Sequence, residues 1–539
     1  MGRGSKKRIT TMTVSAVAIF GAASASAQTV DTQFNKQYGT QLNTIGGVPS
    51  TAGPSASASP TTSSLGSSVG SSTASSTAAS TTSLQFPGLA NAPAVGPLPA
   101  NVPYAGVLSF TTGAEYESNR QLVNNPIAPT FSLYEQLGFG LRAANSTDVF
   151  DLQSSIKLEY ENLVGKGVSS LKFTEPNVVF SYSRDTGNST IGLSGDYWQG
   201  DVSNAYSVDP TNPALITPDT GTLTRTDTVF DFQTGLNDPL GFFANVSYST
   251  IGYSGTSNPS LIDSNTTDGT IGATFRFSKT TQGSVSVSRT DFDQQQALAR
   301  DVITTNYAIG VSHELPRAMT LYGNFGYQDR ERKNFLFSVT ESGYYGGVDF
   351  TQDVSNGQYF GGLNFDNTGV QNKTLLSFGR NMTLPDGSLE GSLTLSFNGS
   401  TGIPGVQGAS ALEYYGYVNY IKQMQNGSLN FNVSRDLTVN QNYFDIIYSQ
   451  LGVGYQQQIN TASAFDVSLQ YGRTEGEALA LIPTQDLATF VATYSHTVAP
   501  DWFLNVGYER RQFISSANNS DANSDKVFVT LTKDIRFGF

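Results

Sequence analysis

The stretch that decides the fold is residues 527–539, VFVTLTKDIRFGF. Side chains alternate between faces of an extended strand, so Val527, Val529, Leu531, Ile535, Phe537 and Phe539 share one face, broken only by Lys533. Phe528, Thr530, Thr532, Asp534 and Arg536 share the other. One face is greasy and the other largely polar. A strand with lipid on one side and a wet lumen on the other has this pattern; a closing strand of a soluble sandwich is the alternative.

Moving toward the N-terminus, the same alternation recurs. It is clear in Leu108, Phe110, Thr112, Ala114, Tyr116; in Phe150, Leu152, Ser154, Ile156, Leu158, Tyr160; in Leu321, Gly323, Phe325, Tyr327; and in Trp502, Leu504, Val506, Tyr508. Several runs end on Tyr or Phe, as an interfacial aromatic girdle requires. The links between runs discriminate further. Short ones fall at 145–147, 185–188, 237–240, 279–282, 316–317, 353–357, 385–388, 423–427, 458–463 and 497–501. Mostly longer polar ones lie between them, at 117–130, 200–221, 254–268, 293–303, 399–411, 474–485 and 512–525. Membrane barrels sort their links by parity in this way, with tight periplasmic turns and long extracellular loops, and a sandwich or propeller has no reason to. No blade-like repeat is evident. The expected fold is an all-β, closed antiparallel transmembrane barrel over residues 105–539. It has about 22 strands, 18 to 22 being acceptable, and 335–350 is a segment that holds a bulge or splits in two.

Residues 1–27 read as a signal peptide: Arg3, Lys6, Lys7 and Arg8, then an apolar stretch around Val14 to Phe20, then Ala25, Ser26 and Ala27 for cleavage. The apolar stretch is too short to span a bilayer as a helix. Residues 28–104 form a Ser/Thr/Ala/Pro-rich segment with too little apolar area to offset the entropy of ordering, and are expected to be a disordered periplasmic arm. Cysteine is absent, which excludes disulfides, thiolate metal sites and lipoprotein anchoring. The formal net charge of −13 becomes −17 once the four basic residues of 1–27 are removed. Such an acidic chain is not expected to bind nucleic acid, which requires clustered Lys and Arg. Only 14% of residues are charged, while Gly (54), Phe (33) and Tyr (26) are plentiful, a balance that suits a barrel with a greasy outside and a small-residue lumen.

The signal peptide, the low-complexity arm, a first strand carrying GAEYESN at 113–119 and the ending Phe537-Gly538-Phe539 together resemble the β-barrel porin 2 group of bacterial outer-membrane proteins, some associated with exopolysaccharide loci. The resemblance covers residues 105–539 and implies an outer-membrane barrel. The terminal aromatic resembles the sorting signature of such barrels, which gives Phe537 and Phe539 a role as an assembly signal read by the barrel-insertion machinery. Outer-membrane lipid and that machinery are the implied partners, together with periplasmic secretion or polysaccharide-export components. TonB-dependent transporters share a strand number near 22 but need a folded N-terminal plug, which the Ser/Thr/Ala/Pro tract does not resemble.

Catalysis has little to stand on. The two histidines, His313 and His496, fall by parity near the periplasmic end, and neither an omptin-like nor a phospholipase-like arrangement can be assembled around them. Two histidines without cysteine make a transition-metal site improbable, no cofactor is indicated, and the Asp/Asn-rich stretches 263–268 and 518–525 read as solvated loops without calcium-loop spacing. Lumen candidates follow from parity. Glu115 and Glu117 face inward on the first strand, Asp151, Lys157 and Glu159 on the third, and Arg276, Asp534 and Arg536 elsewhere. Charged rings can set ion or solute preference, with Glu115 and Glu159 expected to favour cations. Pairing across neighbouring strands, which would simply rigidify a hydrated wall, is the alternative. Three functions stay open: a porin-like channel for hydrophilic solutes, with saccharide or secreted polysaccharide among them; a structural or surface-display barrel; and, weakest, a barrel enzyme.

Overall fold

The computed structural model describes residues 103–122, 126, 128–202, 221–256, 262–294, 300–334, 338–367, 372–398, 412–439, 445–476, 484–516 and 520–538. The signal peptide, the low-complexity arm up to 102, the terminal Phe539 and the interiors of the loops within 200–221 and 399–411 lie outside the described residues.

Twenty-two antiparallel strands form one sheet in which each strand pairs with the next in sequence. The sheet closes where β1 (Tyr104–Glu117) pairs with β22 (Ser520–Phe537), in the register Leu108 with Ile535, Ser109 with Asp534 and Thr111 with Thr532. Closure removes the free sheet edges, which hydrocarbon would leave without hydrogen-bond partners. The strand that decides the fold in the sequence is thus the one that seals it. Segment 335–350 neither bulges nor splits over its described residues: 338–350 lie in one strand, β12 (Ser338–Val354), which follows β11 (Met319–Asn334) and pairs with it in unbroken register.

The parity reading fixes which side chains face out. Phe110, Phe242, Ile309, Leu363 and Phe378 are each about half exposed on the outer wall, forming a band of apolar surface far larger than a water-facing wall carries. Lys533, the break in the terminal pattern, lies near the turn at 500–501, with its ammonium 3.7 Å from Asp501 and 5.7 Å from the Trp502 ring centre. A long stem along the apolar band with its charge at the rim resolves the exception.

Glycine and aromatic abundance have a joint cause on the inner wall. The Tyr134 ring lies where a Cβ on Gly113 would sit, the Phe243 ring covers Gly272, Tyr345 covers Gly326 and Phe528 covers Gly507. Each ring lies flat across a glycine of a neighbouring strand, so a ring that would otherwise fill the lumen packs against the wall.

We call the end with the short links and both termini of the barrel the turn end, and the other the loop end. Sorting by parity holds only in part. At the loop end β3 (Asp148–Leu163) and β4 (Val168–Asp185) are joined by a four-residue turn with Gly165 and Gly167 at positive φ, the links 335–337, 368–371 and 516–519 are no longer than that, and the links expected at 293–303 and 512–525 shorten to 295–299 and 516–519. The two Asp/Asn-rich stretches are corrected more fully. Residues 265–268 belong to β8 (Ser264–Arg276) and 520–525 to β22, so most of each is strand rather than solvated loop. Asp268 accepts hydrogen bonds from Thr290 at 2.6 Å and Ser247 at 3.2 Å, holding neighbouring strands together.

Candidate functional site: a charged collar at the loop end of the lumen

Period-2 alternation places Glu115 and Glu117 inside β1, and register brings them beside Phe528 and Lys526 of β22. On the other flank β2 (Thr130–Ala144) sets Ser132 against Glu115, and β3 carries Lys157, Glu159 and Glu161 inward. These strands, with β4 and β21 (Trp502–Ser515), hold their charges at one level near the loop end.

Beyond β1 the chain does not leave the barrel. Ser118 continues the ladder, its N–H donating to the Asp525 carbonyl at 2.9 Å and its hydroxyl accepting from the Asp525 N–H at 2.8 Å. A tight turn follows, closed by the Leu122 N–H donating to the Asn119 carbonyl at 3.1 Å, with Leu122 at φ +50°. A bulky residue held in the left-handed region needs surroundings that over-determine it. Leu122 has them: it is fully buried against Phe513, Ala522 and Leu487 of the inner wall.

Arg120 points toward the opposite flank and organises the collar. It donates to both oxygens of Glu159, at 2.7 and 3.4 Å, and lies 3.8 Å from Glu161, 3.9 Å from Asp201 and 4.0 Å from Glu115. Burial alone would lower the guanidinium pKa, but the charge and hydrogen bonds of Glu159 more than offset this and hold it well above its ordinary value. Glu159 is wholly buried and Arg120 only 8% exposed. The rest of the collar is paired in the same manner. Lys526 reaches Glu115 at 3.1 Å, Lys172 reaches Glu161 at 2.9 Å, and Lys157 lies 3.8 Å from Glu159 and 3.6 Å from Glu175. Arg511 donates to Glu117, which also accepts from Ser524 at 3.0 Å, and lies 3.5 Å from Glu509. Seven carboxylates therefore meet five cations within a buried network spanning the seam of the barrel.

Of the residues singled out in the sequence, Glu115, Glu117, Lys157 and Glu159 come together here. Asp151 lies nearer the turn end, 3.6 Å from Arg142. Arg276 donates to the carbonyls of Gly235 at 2.8 Å and Asp238 at 2.5 Å and so braces the turn between β6 (Thr222–Thr234) and β7 (Leu240–Ser254). Asp534 accepts from Ser109, and Arg536 is exposed one residue before the end of β22. Phe537 stacks on Phe139, with ring centres 6.4 Å apart, and lies over Gly106 on the closing seam.

Arg120, Glu175, Glu509, Arg511 and Lys526 escape sequence reading. One signal is available: Leu122 follows the polar run Ser118 to Gln121, and an apolar side chain in such a link is what an anchored segment looks like. Glu175, next to Pro176 inside a strand run, marks a bulge in the pairing of β3 with β4 and sits at φ +53°. Proline inside a strand run is the available sign of that bulge.

The histidines lie near the turn end. His313 pairs through Nδ1 with Thr281 at 2.8 Å, and His496 through Nδ1 with Ser463 at 2.9 Å. The two arrangements repeat one another across neighbouring strands, and Ser463 also accepts from the Tyr494 hydroxyl at 3.1 Å. Ser or Thr bonded to His in two equivalent places is a hairpin brace. Among the described residues no group of three His, Cys, Asp or Glu side chains is arranged to hold a metal ion.

No family model matches the chain, and no curated protein matches it. Solved structures do. The FrpB iron transporter from Neisseria meningitidis, F3-3 variant, is similar with a TM-score of 0.52 at 10% identity, over 80% of this chain and 81% of that one. Its F5-1 variant gives 0.51 at 11% identity, over 80% and 82%. A point mutant of the ferric enterobactin receptor PfeA from Pseudomonas aeruginosa gives 0.48 at 8% identity, over 81% of each chain. At such identities the likeness is one of fold alone: over four fifths of its length, this chain shares the fold of the FrpB iron transporter.

Proposed function

We propose that this protein is an outer-membrane channel that passes hydrophilic solutes through a water-filled lumen narrowed at its loop end by residues 118–122 and the charged collar. The observation that carries the reading is the contrast between the walls, apolar outside and lined inside with Ser, Thr, Asn, Gln, Tyr and charged side chains. Twenty-two strands enclose more space than wall side chains fill. The segment after β1 is what the described residues place in that space. The shared fold with an iron transporter agrees with transport in general terms. Saccharide or secreted polysaccharide as the solute follows the resemblance to the porin 2 group, and so do the insertion machinery and periplasmic export components as partners.

In planar bilayers the purified protein is expected to give small, steady conductance steps. Replacing Arg120 and Leu122 together by Gly releases both anchors of the inward segment and should raise the step size severalfold. A silent wild type whose released variant is also silent would leave a structural or surface-display barrel as the better reading.

A further inference from the structure

We infer that the proposed channel prefers cations and small cationic hydrophilic solutes, and that the preference is set at the turn end by Asp151, Asp231, Asp349, Glu390, Asp466 and Asp534 rather than by the collar. The inference rests on the channel reading above.

The placement comes from register. Asp151 lies three residues into β3, Glu390 three into β15 (Gly387–Asn398) and Asp466 three into β19 (Ser463–Gly476). All three strands leave the turn end. Asp231 lies three residues before the end of β6 (Thr222–Thr234), Asp534 three before the end of β22, and Asp349 five before the end of β12, all strands arriving there. Each is on the inward parity, and along the sheet they fall on β3, β6, β12, β15, β19 and β22. A carboxylate therefore stands every three or four strands around the turn end of the wall, apart from the wider interval between β6 and β12, with Asp349 two residues deeper than the rest.

Their surroundings differ from the collar's. Asp231 accepts from Asn245 at 2.5 Å, Asp349 from Asn364 at 3.1 Å, Glu390 from the Tyr417 hydroxyl at 2.5 Å and Asp534 from Ser109. Neutral donors orient these carboxylates without cancelling their charge. Asp151 alone has a cationic partner at ion-pair distance, Arg142. Five of the six are half-buried and Asp466 is exposed, so their field reaches the water of the lumen. Two more inward arginines sit at this end: Arg276, committed to the turn carbonyls, and Arg536, exposed beyond Asp534. Carboxylates still outnumber cations there. A ring of like charge in a low-dielectric wall concentrates counter-ions and repels co-ions.

The test is the reversal potential of the full-length protein in planar bilayers under a KCl gradient. The wild type should favour potassium over chloride, and less so as salt is raised, because screening shortens the reach of the ring. The triple variant Asp231→Asn, Glu390→Gln, Asp466→Asn should lower the permeability ratio about twofold or more. Asp466→Lys alone, at an exposed position where folding is least at risk, should lower it in the same direction. Conductance with an unchanged ratio in both variants, or a wild type without cation preference, overturns this inference while leaving the channel intact. No conductance from the wild type or from the variant with residues 120 and 122 released overturns the channel reading and this inference with it.

Discussion

The two ends of the lumen are both rich in carboxylates and treat them in opposite ways. At the loop end Glu115, Glu117 and Glu159 are buried and each meets an arginine or lysine. At the turn end Asp231, Asp349 and Glu390 meet amides and a phenol and are only half-buried. A buried carboxylate without a cation is costly, so the collar must be charge-paired to exist at all. An accessible one keeps its hydration and needs no counter-charge. The same residue type is therefore mechanical at one end and electrostatic at the other, and burial decides which.

The contrast is most sharply broken at Glu159. Replacing it by Ala leaves Arg120 and Lys157 facing each other's charge in a buried space, and removal of one partner from a buried pair costs about 3 kcal/mol or more. Urea unfolding of the refolded barrel should show a loss of that size for Glu159→Ala. The Arg120→Ala, Glu159→Ala double variant should recover part of it. If the double variant loses as much as the two singles added together, Arg120 and Glu159 are not coupled, and the collar is not the network described.

A smaller effect is expected where the barrel closes. Phe537 lies on the outer face over Gly106 and against Phe139, so it packs across the seam between β1 and β22 and also belongs to the terminal aromatic pattern. Phe537→Ser and Phe539→Ser, made singly and together, should each lower outer-membrane levels severalfold and leave protein in the periplasm. Fractionation showing wild-type membrane levels for all three variants would remove the assembly role. A fall confined to the variants carrying Phe537→Ser, with Phe539→Ser alone harmless, would reduce that role to seam packing.

What is legible in the sequence is set by local periodicity. A period of two tells lipid-facing from lumen-facing residues without knowledge of any partner strand, which is why Glu115, Lys157 and Glu159 can be placed inward from β1 and β3 alone. Strand number follows from links, since Gly, Asn, Asp and Pro interrupt the alternation wherever a turn is made. Pairing is not legible. Arg120 and Glu159 are 39 residues apart, and Arg511 and Glu117 are 394 apart. Whether a charge lines an open pore or lies within a closed network depends on which strands become neighbours and on where the residues after β1 turn. The turn-end ring is hidden for the same reason: each member is an ordinary inward carboxylate on its own strand, and only nearness to the strand ends at one rim groups them.

The smallest expected effect is at Asp466, and it tests the comparison from the other side. Its side chain is exposed on the inward face of β19, three residues into the strand. Substitution at such a position usually changes stability by no more than about 0.5 kcal/mol. Asp466→Asn should therefore shift the urea midpoint hardly at all, and any shift should be toward greater stability, because one repelling charge leaves a ring of like charges. That gain should shrink as salt is raised, whereas the loss at Glu159 should persist, since buried pairs are screened far less than exposed charges. A clear destabilisation by Asp466→Asn would mean that this carboxylate is held in place as the collar's are, and the division of the lumen into a paired end and an open end would no longer stand.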